Sequence, residues 1–191
     1  MSLEIVNNIF DEHIQVLNST RKTLINKIIL ASDLIFNTLN KNHSIFWCGN
    51  GGSASDAQHL AAEFIGRFSI NRRALNSISL NTDTSILTCV ANDFGYDKIF
   101  SRQLEGISKK DDLLICLSTS GNSSNIFNAI SYAKENDIKT ITLLGKDGGK
   151  CSNMSDCEIV IPSNNTARIQ ELHITIGHIL CSLVEKKLNF T

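Results

Sequence analysis

The 191-residue sequence predicts an α/β protein, a three-layer αβα sandwich around a parallel sheet, preceded by two N-terminal helices. Two observations predict it. Five short apolar runs alternate with longer stretches of helical spacing, the signature of a parallel sheet covered on both faces. Glycine- and serine-rich turns also stand where an apolar run passes into a helix, which is where open α/β sheets bind ligands.

The elements follow in order. Residues 3–17 and 21–39 place apolar side chains at helical spacing (Leu3, Ile5, Val6, Ile9, Phe10; Leu24, Ile25, Ile28, Ile29), with Ser19-Thr20 expected to interrupt or cap them. The strands are expected at SIFWC (44–48), ALNSISL (74–80), DLLICLS (112–118), KTITLLG (139–145) and CEIVIP (157–162). Helices are expected at about 53–66, 84–92, 123–136 and 165–188. The right-handed crossover rule converts this alternation into the layered sandwich. The chain then reads as one domain over 1–191, with 1–40 a packing or oligomerising extension and 41–191 the α/β core.

Composition narrows the function. A formal net charge of −1 argues against a surface that coats nucleic acid, and no apolar run reaches the ~18 residues of a membrane span. The six cysteines form no CxxC pair or zinc-finger spacing, so they read as reduced, mostly buried thiols of a cytoplasmic protein. MSLEIVNNIFDEHIQ carries acids early and lacks the basic-then-apolar layout of a signal peptide.

Two loops suit a phosphate. Gly49-Asn50-Gly51-Gly52-Ser53 follows the first strand, and Ser118-Thr119-Ser120-Gly121-Asn122-Ser123-Ser124 follows the third. Helix N-termini offer unpaired N–H groups and partial positive charge, and hydroxyls add donors at short reach. GNGGSA also satisfies the dinucleotide pattern GxGxxA, but the acid expected about 20 residues on is absent from NRRALNS. No GK[ST] follows either glycine run, which excludes a P-loop. The plain alternative is two ordinary turns.

Behind the first loop, His59 and Glu63 lie four apart and share a helix face. Such a pair binds a divalent metal, moves protons near neutral pH, or is simply a solvated helical pair. ARIQELHITIGHILCSLVEKKL (167–188) holds Gln170, Glu171, His173 and His178 among apolar residues. Periodicity aligns Glu171 rather than Gln170 with His178, and a histidine in such a helix is often a satisfied core residue. Asn92-Asp93-Phe94-Gly95 reads as a helix C-terminal turn, and LLGKDGGK (143–150) mainly as a third glycine turn.

Taken together, CGNGGSASDAQHLAAEF, ANDFGYDKIFSRQ, STSGNSSN, TLLGKDGGK and ARIQELHITIGHIL resemble the phosphoheptose isomerase family of the sugar-isomerase (SIS) superfamily, over nearly the whole chain. The resemblance implies a Rossmann-like fold with a five-stranded parallel sheet, a homotetramer with active sites between subunits, and aldose–ketose isomerisation of sedoheptulose 7-phosphate for heptose biosynthesis. It implies substrate binding by Asn50, Gly51, Gly52, Glu63, Asn92, Asp93, Ser118, Thr119, Ser120, Ser123 and Gln170. Acid–base roles fall on Glu63 and His178, and zinc, carried by some members, would sit on His59, Glu63, Gln170 and His178. No nucleotide cofactor is implied. The resemblance thus selects Gln170 where periodicity prefers Glu171. A non-catalytic SIS paralogue that partners a replication initiator is the alternative, but it lacks the matches to Glu63 and His178, both present here. An isomerase of another sugar phosphate is the other alternative.

Overall fold

A computed structural model describes residues 1–188. The elements run α1 (Ser2–Asn40), β1 (Ile45–Gly49), α2 (Gly52–Ile65), β2 (Ser77–Ser79), α3 (Thr84–Phe94), α4 (Ser101–Ile107), β3 (Leu113–Ser118), α5 (Ser124–Glu135), β4 (Lys139–Gly145), β5 (Cys157–Ile161) and α6 (Thr166–Leu188). Short 3₁₀ turns cover Tyr96–Lys98 and Gly149–Cys151. The sheet order is β2-β1-β3-β4-β5 and every pairing is parallel.

Alternation along each strand makes the sandwich. In β1 and β3, Ile45, Trp47, Leu113, Ile115 and Leu117 face one core, shared with α1, α2 and α6. Phe46, Cys48, Leu114 and Cys116 face the other, shared with α3, α4 and α5. Trp47 is fully buried, donates from Nε1 to Ser77 Oγ at 2.9 Å, and packs its ring 5.8 Å from that of Phe64. Burying a large apolar side chain of this kind stabilises the fold by roughly 2–3 kcal/mol. Five of the six cysteines are buried and all are free thiols, as their apolar surroundings predict.

The structure corrects the N-terminal reading. Residues 3–39 do not form two helices; α1 is continuous through Ser19 and Thr20. Hydroxyl residues cost only about 0.5 kcal/mol each within a helix, and their groups bond back to the preceding turn. Thr23 does so, donating to Ser19 O at 2.9 Å, while Thr20 is buried. From Val16 onward α1 contributes a buried stripe; Leu3, Ile5, Val6, Ile9, Phe10 and Ile14 remain exposed. β2 is also shorter than 74–80, because Leu75 N is spent on Phe64 O at the end of α2 instead of on the sheet. The seven-residue α4 is too short to show periodicity, and the sequence reading assigns it no element.

β1 and β3 lie side by side at the centre, yet their connections leave toward opposite edges of the sheet. The crevice at their C-terminal ends is the topological switch point where doubly wound sheets bind ligands. Both predicted loops open there.

Of the histidines on α6, His173 is the core residue, with Nε2 paired and Nδ1 buried without a hydrogen-bond partner among the described residues. It is fully buried and donates from Nε2 to Leu144 O at 3.0 Å. Burial pushes its imidazole down to about 4, the hydrogen bond opposing only in part. The unfolded chain therefore takes up a proton near pH 6.5 that the native state refuses until about pH 4, so stability falls as pH drops through that window. Urea unfolding is expected to show a loss of about 2 kcal/mol between pH 7 and pH 5 from this group. His173→Gln, which keeps a donor for Leu144, should flatten that slope; an unchanged slope would remove His173 as its source.

Candidate active site

The glycine loop turns directly from β1 into α2. Asn50 is tied to the third-strand loop by a reciprocal amide pair. Its Nδ2 donates to Asn125 Oδ1 and Asn125 Nδ2 donates to Asn50 Oδ1, both at 2.9 Å. Tyr96 Oη donates to the same Asn50 oxygen at 3.1 Å, and Asn125 Oδ1 also accepts from Ile126 N at 2.9 Å. One N–H of Asn50 is left for a ligand.

The serine loop is preformed. Ser118 Oγ accepts from Gly121 N at 3.1 Å, and Ser120 Oγ accepts from Asn122 N at 3.2 Å. Asn50, Ser53, Leu117, Ser118, Thr119, Ser120 and Ser123 line a small cleft of about 50 Å³ containing no charged side chain. α5 begins at Ser124, so the positive end of a helix dipole faces it. The third glycine turn buttresses this loop. Cys151 N donates to Gly121 O at 3.0 Å and Lys150 N to Asn122 Oδ1 at 3.1 Å. A Cβ on Gly121, where φ is +63°, would meet Gly148 O at 1.9 Å, so only glycine fits.

Asn92 and Asp93 stand exposed at the end of α3. Asn92 Nδ2 donates to Asp93 Oδ1 at 2.8 Å, and among the described residues no hydrogen bond joins either to the two loops. Gly95 caps α3 with φ +93°, so this stretch is the predicted C-terminal turn.

α2 and α6 pack closely, with Leu60 seated on Gly177. That contact sets His59 against His178, their Nε2 atoms 3.0 Å apart. A hydrogen bond between them needs the tautomers in which one Nε2 carries a proton and the other does not. His59 Nε2 lies 3.5 Å from Glu63 Oε1, and the Phe68 ring lies 5.4 Å from that of His178. Glu63 is half-buried while His59 faces solvent. Gln170 lies over the start of α2, its Nε2 2.7 Å from where a Cβ on Gly52 would be. Glu171 points away: His13 Nδ1 of α1 is 2.6 Å from its Oε2, and Arg168 holds its other oxygen. Side-chain direction, rather than alignment with His178, therefore separates the neighbours Gln170 and Glu171.

Four further residues, unassigned from the sequence, stand at this site. Asn125 closes the STSGNSSN segment, and Asp56 lies one turn before His59 on the same side of α2; spacing alone could have nominated both. Burial pushes the Asp56 carboxyl up, with His59 and His178 opposing it. Tyr96 and Phe68 carry no chemical signal in the sequence.

Two imidazoles and a carboxylate are donor types that suit zinc. At Zn–N lengths near 2.0–2.1 Å, tetrahedral donors stand roughly 3.4 Å apart, close to the 3.0 and 3.5 Å separations here. Among the described residues, however, no three histidine, cysteine or acidic side chains are gathered as a ready cage. The chain offers a preset donor pair that Glu63 and Gln170 would have to complete.

Comparison with known proteins identifies the family. The SIS domain family matches residues 9–145. The phosphoheptose isomerase of Nitratiruptor is 49% identical over 92% of this chain and 94% of its own. The structure of phosphoheptose isomerase from Neisseria gonorrhoeae superposes with a TM-score of 0.92 at 39% identity, covering 97% of this chain and all of that one. That of Francisella tularensis gives 0.94 at 34% identity, covering 97% and 99%. By its family model, its sequence identity and its fold, the chain belongs to the phosphoheptose isomerase family of SIS-domain enzymes.

Proposed function

We propose that this isomerase interconverts sedoheptulose 7-phosphate and D-glycero-D-manno-heptose 7-phosphate through an enediol. The observations that carry this are the meeting of Glu63, His59 and His178 where α2 packs on α6, and a separate anion cleft of hydroxyls and amides at the strand ends. The cleft takes the phosphate on Ser118, Thr119, Ser120 and Ser123, with Asn50 and Gln170 orienting hydroxyls. Asn92 and Asp93 remain part of the proposed substrate contacts, reached from the exposed end of α3.

From the ketose, the Glu63 carboxylate takes a proton from C1 while His178 gives one to O2, forming the enediol. His178 then takes the proton from O1 and Glu63 returns its proton to C2, so protons balance and no redox partner is needed. Where zinc is bound, His59, Glu63, Gln170 and His178 would hold it, and it would supply Lewis-acid polarisation of the sugar oxygens. Glu63 serves as base only when it is not a tight ligand.

Self-association as a homotetramer with intersubunit sites belongs to the same proposal, supported by the exposed apolar face of α1. A cytoplasmic location is supported by six free thiols. Among the described residues no helix is long and apolar enough to cross a membrane.

Incubation with sedoheptulose 7-phosphate in deuterated water is expected to yield the aldose carrying deuterium at C2. Absence of both product and label, with or without chelator, would sink the reading. Glu63→Gln and His178→Gln should each lower kcat by about 10²-fold or more while sugar phosphate still binds; full turnover in either removes that residue from the scheme. Thr119→Val and Ser120→Ala each delete a hydroxyl from the cleft. Each is expected to raise KM about tenfold, the effect of one charge-assisted hydrogen bond, with kcat little changed. Inhibition by inorganic phosphate should weaken in parallel, and an unchanged phosphate inhibition constant would place the anion elsewhere.

A further inference from the structure

We propose that Phe68 is a positioning residue for His178, held against it by the buried carboxylate of Glu185. The inference rests on the acid–base reading of His178 and extends it to a segment that reading does not use.

Residues 66–76 leave α2 without regular structure, yet their start is tightly fixed. Glu185 is 1% exposed. Its Oε1 accepts from Phe68 N and Arg72 Nε, both at 2.9 Å. Its Oε2 accepts from Ser69 N and Ser69 Oγ at 2.9 Å and from Ile70 N at 3.0 Å. Burial alone would push this carboxyl up, but the hydrogen bonds from Phe68, Ser69 and Ile70 outweigh it and bring it down to about 2. Arg72, 7% exposed, also donates to Glu63 O and Phe64 O at 2.9 Å, satisfying carbonyls that the end of α2 leaves open. One buried ion pair thus ties the end of α2 and the loop beyond it to α6.

The geometry connects this tie to the chemistry. His178 and Glu185 are seven residues apart on α6, so they stand nearly in line, two turns from each other. Fixing the amides of residues 68–70 on Glu185 brings the Phe68 ring onto His178, 5.4 Å between centroids at 31°. The His59 ring meets His178 at 5.2 Å and 66°. Two ring contacts, from two elements, therefore restrict the His178 rotamer. A phenyl ring can neither donate nor accept a sugar proton, so its contribution is orientation, which acts on turnover more than on binding.

The test compares Phe68→Leu, Phe68→Tyr and Glu185→Gln with the parent protein by steady-state kinetics and by NMR of histidine ring protons, His178 being assigned from His178→Gln. Phe68→Leu should lower kcat about tenfold with KM within twofold, and Phe68→Tyr, which restores a ring, should recover kcat to within about twofold. The His178 ring resonances should move in Phe68→Leu through loss of the ring current and return toward the parent position in Phe68→Tyr. Glu185→Gln should reproduce the kcat loss and also lower Tm. Unchanged kcat in Phe68→Leu, equal losses in the Leu and Tyr variants, a change confined to KM, or unmoved His178 resonances would each overturn the proposal. If the parent protein does not turn over sedoheptulose 7-phosphate, the functional reading fails by itself, and the resonances still decide whether Phe68 positions His178.

Discussion

The contact on which the site depends is the packing of α2 against α6, with Leu60 lying on Gly177. A Cβ at Gly177 would stand 2.4 Å from a Leu60 methyl carbon, so the helices approach more closely than a side chain there would allow. From that approach follow the Nε2 separation of His59 and His178 and the seat of Gln170 against Gly52. A hydrogen-bonded imidazole pair is sensitive to tenths of an ångström, because hydrogen bonds weaken quickly outside a narrow distance range. The glycine matters for chemistry through the distance it permits, not through its backbone freedom.

The anion cleft solves a different problem. A sugar phosphate needs a firm grip at one end and freedom for its carbonyl end to react. The proposed grip of hydroxyls, amides and a helix terminus would supply fixed dipoles without adding a cation to the cleft. Such a grip depends on geometry, and two sets of bonds hold it: the Asn50–Asn125 amide pair and the turn at Gly148–Cys151 beneath Gly121. The three glycine turns are therefore one assembly at the switch point, two that line the proposed cleft and one that supports them.

What was legible in the sequence follows from the physics of each signal. The strands were legible because continuous apolar runs such as KTITLLG are what a doubly covered parallel strand requires, and β4 occupies that run from Lys139 to Gly145. The joint at Ser19-Thr20 was misread because a local propensity of tenths of a kcal/mol cannot break a helix whose next turns pack on α6. His59 and Glu63 were legible as an i, i+4 pair. Gln170 over Glu171 was not, since both occupy the same turn and only the neighbours of α6 decide: Gly52 on one side, His13 and Arg168 on the other. Tyr96 and Phe68 act by touching residues distant in sequence, Asn50 and His178, and no spacing rule reaches that far.

The placement of ionisable groups on α6 completes the picture. His173, Glu185 and His178 lie on one helix in three environments. His173 is neutral in the core with a carbonyl partner, and Glu185 is ionised in the interior because four hydrogen bonds from residues 68–70 and one from Arg72 compensate its desolvation. A buried ion pair of this type adds little net stability over an apolar pair, but it tolerates only one arrangement of the chain around it. His178, in the middle of α6 and half-buried, has its ring against those of Phe68 and His59. The helix thus leaves His178 half-buried, while Glu185, kept ionised by its hydrogen bonds, holds the surrounding backbone still.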